Sequence, residues 1–192
     1  MQYIIDDIDN YNSDFYLTYF KKYGLIINDK IKNSYRLKQS ILVRYFLEKL
    51  LNNKINIVDN FIYNKYGKPF FKDNICYFNF SHSKNKCITV ISNKEIGVDI
   101  EEIKKIDINV INKFATENEK KYITESNDEV YKRLFIIYVL KEAYCKMLGK
   151  DLNKMLEVEF MHINNELKCS DKSVNIKYFV KDNYTIGICE KS

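Results

Sequence analysis

Two long segments with the apolar spacing of an amphipathic helix most constrain how this sequence can fold. The first begins at about Asp29 and runs to about residue 51, and the second runs from Asp128 to Leu148, where Gly149 ends it. Short segments with the apolar pattern of β-strands accompany both helices. The pattern predicts an α+β protein in which each half of the chain contains one long helix and several strands.

The predicted strands fall into a group around the first helix, a group in the middle of the chain and a group at its end. They are Gln2 to Asp6, Ile55 to Val58, Phe61 to Tyr63, Ile75 to Phe80, Lys86 to Ile91, Ile96 to Ile100, Leu156 to Ile163, Val174 to Val180 and Tyr184 to Cys189. We therefore expect two similar α/β lobes in one chain, a pseudo-dimer in which a small, mostly antiparallel sheet packs on each long helix. The lobes would span residues 1–92 and 95–192, with a hinge near Ser92 to Lys94.

The composition is that of a chain able to bury a sizeable core. Of the 192 residues, 46% are hydrophobic and 15% aromatic, which excludes disordered, collagen-like and coiled-coil proteins. The sequence lacks both an apolar run of the roughly 20 residues that span a bilayer and the basic start of a signal peptide. We expect a soluble, cytoplasmic protein.

Cysteine and histidine are poorly placed for the common cysteine and metal sites. The five cysteines are odd in number and widely spaced, and they form no CxxC pair, so neither a disulfide framework nor a zinc ribbon is indicated. Only two histidines are present, which argues against a transition-metal site. Any bound metal is expected to be Mg²⁺ on carboxylates.

The charge is unevenly distributed within a formal total of +5. Residues 1–94 contain 15 Lys and Arg against 8 Asp and Glu, whereas residues 95–192 contain 16 against 18. The first half is therefore suited to an anion and the second half to a cation.

Three carboxylates stand out in the second half. Asp99 and Glu101 lie two positions apart at the end of a predicted strand, so both face the same side and repel each other unless a cation joins them. Glu142 lies in the most apolar part of the second long helix, where it needs a partner such as Lys141 or Lys146. Taken singly, strand-end acids are usually solvated, and Glu142 with Lys146 is usually a helix-surface ion pair.

The ordered set of segments carries more information than any single residue. The sequence contains, in this order, Tyr66-Gly67-Lys68-Pro69, Phe78-Asn79-Phe80-Ser81-His82-Ser83, Gly97-Val98-Asp99-Ile100-Glu101, Phe114-Ala115-Thr116-Glu117-Asn118-Glu119 and Tyr138-Val139-Leu140-Lys141-Glu142-Ala143-Tyr144-Cys145-Lys146. This set resembles the 4′-phosphopantetheinyl transferases of the Sfp type. The resemblance implies transfer of the 4′-phosphopantetheine arm of coenzyme A to a serine of an apo carrier protein, with release of 3′,5′-ADP.

The resemblance also implies roles for the acidic residues and for Lys146. Asp99, Glu101 and Glu142 would hold Mg²⁺, for which Mn²⁺ is a plausible substitute, against the pyrophosphate. Glu142, directly or through a water, is the first choice for the general base, and Glu119 is the second. Lys146 would contact the pyrophosphate and stabilise the leaving 3′,5′-ADP.

On the coenzyme A side, Lys68, Ser81 and His82 match positions that contact the 3′-phosphate and the adenylate. The co-substrate is expected in the cleft between the lobes. The partner would be an apo acyl or peptidyl carrier protein rather than nucleic acid or a membrane, and the enzyme is expected to work as a monomer.

Four positions depart from the family pattern, and one of them is Val43, where a glycine is usual. Tyr138 stands where a Trp is usual, and Ala115 replaces a common second Phe. Gln39 stands where an arginine usually binds phosphate, so the contact with the 3′-phosphate could come from Arg36, Lys38 or a lysine near Lys30.

Two other functions compete with the transferase. A catalytically inactive homologue that still binds coenzyme A or a carrier protein is suggested by Gln39 and opposed by the intact set of Asp99, Glu101, Glu142 and Lys146. A basic nucleic-acid-binding module is suggested by the net charge and the many tyrosines. Scattered lysines and the core periodicity of the tyrosines oppose that module.

Overall fold

A computed structural model describes residues 1–24, 34–52, 55–72, 75–164 and 166–192. The α-helices are α1 Ser13–Lys22, α2 Ser34–Leu50, α3 Ile57–Asn60, α4 Glu117–Thr124 and α5 Val130–Leu148. The strands are β1 Gln2–Asp7, β2 Phe61–Tyr63, β3 Pro69–Phe71, β4 Tyr77–Ser83, β5 Lys86–Ser92, β6 Ile96–Glu102, β7 Phe160–Ile163, β8 Glu166–Cys169, β9 Val174–Lys181 and β10 Tyr184–Lys191. Short 3-10 helices span Ile8–Asn10, Ile108–Lys113 and Leu152–Glu157. In these described ranges no helix has the length and apolarity needed to cross a membrane.

The strands form small antiparallel sheets, which confirms the predicted α+β class. One three-stranded sheet has the order β1-β5-β4 and another has the order β6-β10-β9. The pairs β2-β3 and β7-β8 form separate hairpins. In chain order, each half contains a strand, a long helix, a hairpin and two further strands, and the last strand lies in the centre of the sheet.

The central strands are buried on both faces. Because side chains alternate along a strand, each face packs against a different part of the protein. On β5, the hydroxyl of Thr89 donates to the carbonyl oxygen of Val43 on α2 at 2.9 Å. The opposite face of β5 packs against β6 and β10 in an apolar cluster formed by Ile88, Val90, Ile96, Val98, Ile100, Tyr184, Ile186 and Ile188. Since side chains alternate along a strand, the residues of β6 between these isoleucines and valines face α5.

Helix α5 lies unusually close to β6 and β10 because two glycines face it. A Cβ atom at Gly97 would clash with the carbonyl oxygen of Ala143, and one at Gly187 would lie 2.8 Å from the side chain of Val139. Gly187 is also the cross-strand neighbour of Asp99. The close approach therefore sets α5 directly over the part of β6 that carries the predicted carboxylates.

Several predicted elements differ in the structure. The prediction of a strand from Ile55 to Val58 is wrong, because Ile57–Asn60 forms a helical turn. The side chain of Asn56 caps this turn by accepting a hydrogen bond from the backbone N–H of Val58. The strand predicted from Leu156 begins only at Phe160, since Leu152–Glu157 forms a 3-10 helix that Asp151 caps. Asp128 does not cap α5, which begins at Val130 after Glu129. The predicted start of the first long helix at Asp29 lies outside the described residues.

The glycine contact leads to a stability prediction. Gly97→Ala should lower the free energy of unfolding by about 1–3 kcal/mol, because a methyl group inserted into a close-packed contact forces the helix and the strand apart. Urea unfolding followed by circular dichroism measures the change. A difference from wild type below about 0.5 kcal/mol, the usual effect of a surface substitution, would show that α5 does not depend on this contact.

Candidate active site

The predicted site lies where the edge strands of the two three-stranded sheets meet. Strands β4 and β6 are joined by side chains rather than by a backbone ladder. The amide oxygen of Asn79 accepts the backbone N–H of Val98 at 3.0 Å, and the hydroxyl of Ser81 donates to Asp99 at 2.7 Å. Because Asn79, Ser81 and Ser83 are two residues apart, all three face β6, and we call this row the β4–β6 seam.

Asp99 is the most buried acid of the site, with 2% of its surface exposed. Its Oδ1 accepts hydrogen bonds from the hydroxyl of Ser81 at 2.7 Å and from the ammonium of Lys146 at 2.5 Å. Its Oδ2 is buried and has no hydrogen-bond partner among the described residues. A buried carboxylate oxygen without a partner is costly, so this atom is suited to a cation or a polar ligand.

Glu101 lies two residues further along β6 on the same side. Its Oε2 accepts a hydrogen bond from the hydroxyl of Ser83 at 2.8 Å. Burial and the nearby charge of Asp99 raise the pKa of Glu101, although the hydroxyl of Ser83 opposes that rise. The charge of Asp99 therefore disfavours the ionised form of Glu101, as the sequence pattern predicts.

Glu142 and Lys146 reach this pair of acids from α5. The hydroxyl of Tyr138 donates to Oε1 of Glu142 at 2.5 Å, and Oε2 lies 3.5 Å from the ammonium of Lys146. Burial and Asp99 raise the pKa of Glu142. For Lys146, burial alone would lower the pKa, but the carboxylates of Asp99 and Glu142 outweigh it and raise the pKa. Asp99, Glu101, Glu142 and Lys146 are therefore brought together, as predicted.

The donor set fits a hard divalent cation by its chemistry. Asp99, Glu101 and Glu142 offer carboxylate oxygens, the ligands that Mg²⁺ prefers, and Oδ2 of Asp99 lacks a partner. Across the described ranges, no three Asp, Glu, His or Cys side chains form a ready-made metal-binding group. The ammonium of Lys146 supplies the positive charge between Asp99 and Glu142 instead.

Ser81, His82 and Arg36 lie on the side of the site nearer the first half of the chain. The hydroxyl of Ser81 accepts a hydrogen bond from the ammonium of Lys146 at 3.2 Å. His82 reaches the solvent, but neighbouring atoms desolvate its ring enough to lower its pKa, together with the charges of Lys146 and Arg36. The charges of Lys146 and Arg36, together with the hydroxyl of Ser81 and the ring of His82, are suited to hydrogen bonds with a phosphate.

Lys68 occupies a different position, at the end of α5. Its ammonium donates to the carbonyl oxygen of Met147 at 2.6 Å and to that of Ile96 at 3.4 Å. Burial lowers its pKa to about 8, and Glu95 opposes that shift. Lys68 thus joins the loop before β3 to both α5 and β6, and it borders a 340 Å³ cavity lined in part by Phe70, Tyr77 and Glu95.

Glu119 is placed apart from the other predicted acids. It closes a capping box with Thr116 at the start of α4, as the Thr-x-x-Glu spacing indicates. Its carboxylate accepts the backbone N–H of Phe160 at 2.7 Å and pairs with the ammonium of Lys141 at 2.8 Å, and both charged side chains are 0% exposed. Lys141 also donates to the carbonyl oxygens of Met155 and Val158.

The positions discussed for the 3′-phosphate differ in their contacts. Gln39 is 4% exposed, and its amide donates to the carbonyl oxygen of Lys84 in the turn between β4 and β5 at 2.6 Å. The ammonium of Lys38 lies over the ring of Tyr16, at 5.2 Å from its centroid, whereas Arg36 is exposed. Lys30 lies outside the described residues.

Four polar residues of the site are absent from the prediction. Asn79 and Ser83 belong to the seam, the hydroxyl of Tyr138 bonds Glu142, and Thr185 is the fully buried cross-strand neighbour of Glu101. The hydroxyl of Thr185, like Oδ2 of Asp99, has no hydrogen-bond partner among the described residues. The alternation of polar residues from Asn79 to Ser83 was a signal for the seam, whereas no local pattern marks Thr185.

Comparison with known proteins supports the resemblance seen in the sequence. Residues 95–189 match the sequence model described as the 4′-phosphopantetheinyl transferase superfamily. The chain is 37% identical over 125 residues to the 4′-phosphopantetheinyl transferase gsp of Aneurinibacillus migulanus, covering 64% of this chain and 52% of that protein. It is 32% identical over 120 residues to the 4′-phosphopantetheinyl transferase ffp of Bacillus subtilis, covering 61% of this chain and 53% of that protein.

A third relative is the 4′-phosphopantetheinyl transferase Sfp of Bacillus subtilis (strain 168), with 28% identity over 134 residues, 65% of this chain and 60% of that protein. A solved structure, the Thermotoga maritima holo-[acyl-carrier-protein] synthase (AcpS), aligns with a TM-score of 0.44 and 20% identity over 51% of this chain and 62% of that one. The chain thus spans about half the length of the first curated relatives it matches. The predicted resemblance to 4′-phosphopantetheinyl transferases is confirmed by the matching superfamily model and by these three relatives.

The buried ion pair of Lys141 leads to a second prediction. Lys141→Met should destabilise the protein by about 3–5 kcal/mol, because the buried carboxylate of Glu119 loses its partner. The matched control is Lys132→Met on the same helix, which breaks only a solvent-exposed pair with Glu129 and should leave the free energy of unfolding nearly unchanged. Equal unfolding free energies for the two variants would show that the Lys141–Glu119 pair does not stabilise the fold.

The lowered pKa of Lys68 leads to a prediction on pH. Its value is about 8 in the folded protein and about 10.4 for an unfolded chain, so between these values the unfolded state holds more protons and raising the pH stabilises the fold. The free energy of unfolding of wild type minus that of Lys68→Met should therefore increase over this range. The exposed neighbour Lys65 serves as a control, because Lys65→Met removes a lysine side chain without removing a buried charge. A pH-independent difference for Lys68→Met would contradict the burial of its charge.

Proposed function

We propose that this chain transfers the 4′-phosphopantetheine arm of coenzyme A to a serine of an apo acyl or peptidyl carrier protein. The observation that supports this most is the cluster of Asp99, Glu142 and Lys146 at the β4–β6 seam, with the unpartnered Oδ2 of Asp99 inside it. Relatives with up to 37% sequence identity to this chain are named 4′-phosphopantetheinyl transferases.

In the proposed reaction, the serine oxygen forms a bond to the phosphorus that carries the pantetheine arm. The bond from that phosphorus to the bridging oxygen breaks, and 3′,5′-ADP leaves. The serine proton passes to a base, for which Glu142 is the first choice because it lies in the cluster at the surface of α5. Glu119 remains the second candidate, but its pairing with Lys141 and its complete burial favour Glu142.

Charge stabilisation is the other requirement of phosphoryl chemistry. Lys146 would bind the pyrophosphate and stabilise the negative charge on the leaving group, while Ser81, His82 and Arg36 would hold phosphate oxygens on the side of the first lobe. Lys68 would contribute at the adenylate side through the cavity that it borders. Asp99, Glu101 and Glu142 would hold Mg²⁺, or Mn²⁺ in its place, which supplies Lewis-acid stabilisation of the phosphate oxygens when bound.

The proposal extends to the arrangement of the chain. We propose two similar lobes, residues 1–92 and 95–192, that form a pseudo-dimer and work as a monomer. The common order of strand, helix, hairpin and two strands in both halves supports this, as do the equivalent sheet orders β1-β5-β4 and β6-β10-β9. Coenzyme A would bind across the seam, so that both lobes contribute residues to one site.

The decisive experiment is the intact mass of apo acyl and apo peptidyl carrier proteins after incubation with this protein, coenzyme A and Mg²⁺. A gain of one phosphopantetheine arm that EDTA abolishes would establish the transferase and rank its partners. No gain on either carrier, with coenzyme A bound in a titration, would favour the inactive homologue that Gln39 suggests. Neither transfer nor binding would refute the proposal.

A substitution at Asp99 tests the metal site directly. Asp99→Asn should lower the transfer rate by about 100-fold or more, because a metal ligand is lost while the shape of the side chain is kept. The rate is measured with coenzyme A and carrier at saturation and with Mg²⁺ varied. Asp171→Asn, on a carboxylate that binds Tyr144 and Ser173 elsewhere, is the matched control. A transfer rate for Asp99→Asn within twofold of wild type would remove Asp99 from the site.

A further inference from the structure

The turn that joins β2 to β3 reaches the end of α5 with two side chains. The amide of Asn64 donates to the carbonyl oxygen of Gly149 at 3.0 Å, and the ammonium of Lys68 donates to that of Met147 at 2.6 Å. The last carbonyl groups of a helix have no partner within the helix, so they need donors from elsewhere. We call the side chains of Asn64 and Lys68 the α5 clamp.

Asn64 is itself held firmly by the turn. Its Oδ1 accepts the backbone N–H groups of Tyr66 and Lys68, each at 2.9 Å, and its own backbone N–H donates to the carbonyl oxygen of Lys68 at 3.0 Å. Because an amide oxygen only accepts and an amide nitrogen only donates, these bonds fix the orientation of the amide and leave its nitrogen facing Gly149. The side chain is therefore a rigid link between the turn and the helix.

Gly149 leaves the space that the clamp occupies. Its backbone is left-handed, with a φ of 60°, which favours glycine. A Cβ atom at this position would lie 2.7 Å from Nδ2 of Asn64 and 3.2 Å from Cδ of Lys68. The residue that ends α5 is thus also the residue that lets both clamp side chains approach.

The clamp lies where α5 and β6 come closest. Lys68 also donates to the carbonyl oxygen of Ile96, the first residue of β6, at 3.4 Å. A Cβ atom at the next residue, Gly97, would clash with the backbone nitrogen of Met147. The clamp therefore holds the helix and the strand on both sides of their tightest contact.

This contact determines where Lys146 points. Lys146 directly precedes Met147, and its ammonium binds Asp99 on β6 at 2.5 Å. A shift of the last turn of α5 moves the Lys146 ammonium away from Asp99 and from the pyrophosphate that it would bind. A displacement of about 1 Å in a catalytic group can cost on the order of 100-fold in rate.

We infer that Asn64 is a positioning residue that, together with Lys68, holds the end of α5 so that Lys146 stays aligned for the transfer reaction. The inference rests on the proposed function, because it takes Lys146 as the group that stabilises the leaving 3′,5′-ADP. In this role Asn64 acts through the helix rather than on a substrate. A turn from the first half of the chain thereby orients a charged group of the second half.

The test removes the amide donor and keeps the rest of the side chain. Asn64→Asp retains the oxygen that accepts the N–H groups of Tyr66 and Lys68, but it places a negative charge at the negative end of the helix dipole. We expect kcat to fall about 10-fold or more, while KM for the carrier stays within about twofold of wild type. Initial rates at saturating coenzyme A with the carrier varied measure both constants.

A double variant identifies the residue through which Asn64 acts. When Asn64→Asp is added to Lys146→Gln, transfer measured at high enzyme concentration should slow by less than about twofold further, because two residues that act as one unit are not additive. A further loss of about 10-fold, equal to the effect in the wild-type background, would be additive. That result would show that Asn64 does not act through Lys146, and it would overturn the inference.

A matched control separates this role from a general effect of the substitution. Asn60→Asp removes an amide that donates to the backbone carbonyl of Asn56 at 2.9 Å, within the first half of the chain, and it should keep the wild-type kcat. Hydrogen exchange of the segment 144–150 should be faster in Asn64→Asp but not in Asn60→Asp. Thermal melting identifies a variant that fails to fold, and Asn64→Ser, which adds no charge, then takes its place.

The outcomes distinguish this inference from the proposed function. A wild-type kcat in folded Asn64→Asp overturns the inference and leaves the function intact, as does an equal loss of kcat in Asn60→Asp. If the wild-type protein transfers nothing, the proposed function is refuted and the catalytic role of Asn64 falls with it. Hydrogen exchange is independent of activity, and unchanged exchange at the end of α5 overturns the clamp itself.

Discussion

The close approach of α5 to β6 is the contact on which the rest of the site depends. It is possible because Gly97 and Gly187 present no side chain to the helix, so the backbone of Ala143 can lie against the strand. With a helix at this short distance, Lys146 reaches Asp99 at 2.5 Å although the two residues are 47 positions apart. The charged groups of the site are therefore positioned by packing of backbone against backbone, which is more rigid than contacts between long side chains.

At the β4–β6 seam, side chains satisfy the edges of two sheets. Edge strands carry unpaired backbone groups that favour unwanted pairing. Here Asn79 and Ser83 satisfy backbone N–H groups of β6, while Ser81 and Ser83 also hold the carboxylates of Asp99 and Glu101. The same polar row thus joins the two halves of the chain and orients the acids, so the stability of the interface and the geometry of the site share their residues.

Behind α5, the buried pair of Lys141 and Glu119 fixes the helix from the other side. The ammonium of Lys141 has three oxygen partners, and the carboxylate of Glu119 also accepts hydrogen bonds from two backbone N–H groups. A buried pair of this kind does not add much net stability, but breaking it leaves an uncompensated charge. Neighbouring residues on α5, Lys141 and Glu142, therefore point in different directions, the first into the core and the second toward the seam.

The sequence by itself determined the α+β class, the two long helices and the group of Asp99, Glu101, Glu142 and Lys146. These follow from local periodicity and from an ordered set of motifs, both of which can be read along the chain. Tertiary structure alone decided that Lys146 pairs with Asp99, that Ser83 and Tyr138 bind the outer acids and that Glu119 is buried with Lys141. Most of these contacts join different elements of the fold. The bond between Tyr138 and Glu142 lies within α5, but it belongs to the site only because that face of α5 packs against β6. No local pattern in the sequence encodes this packing.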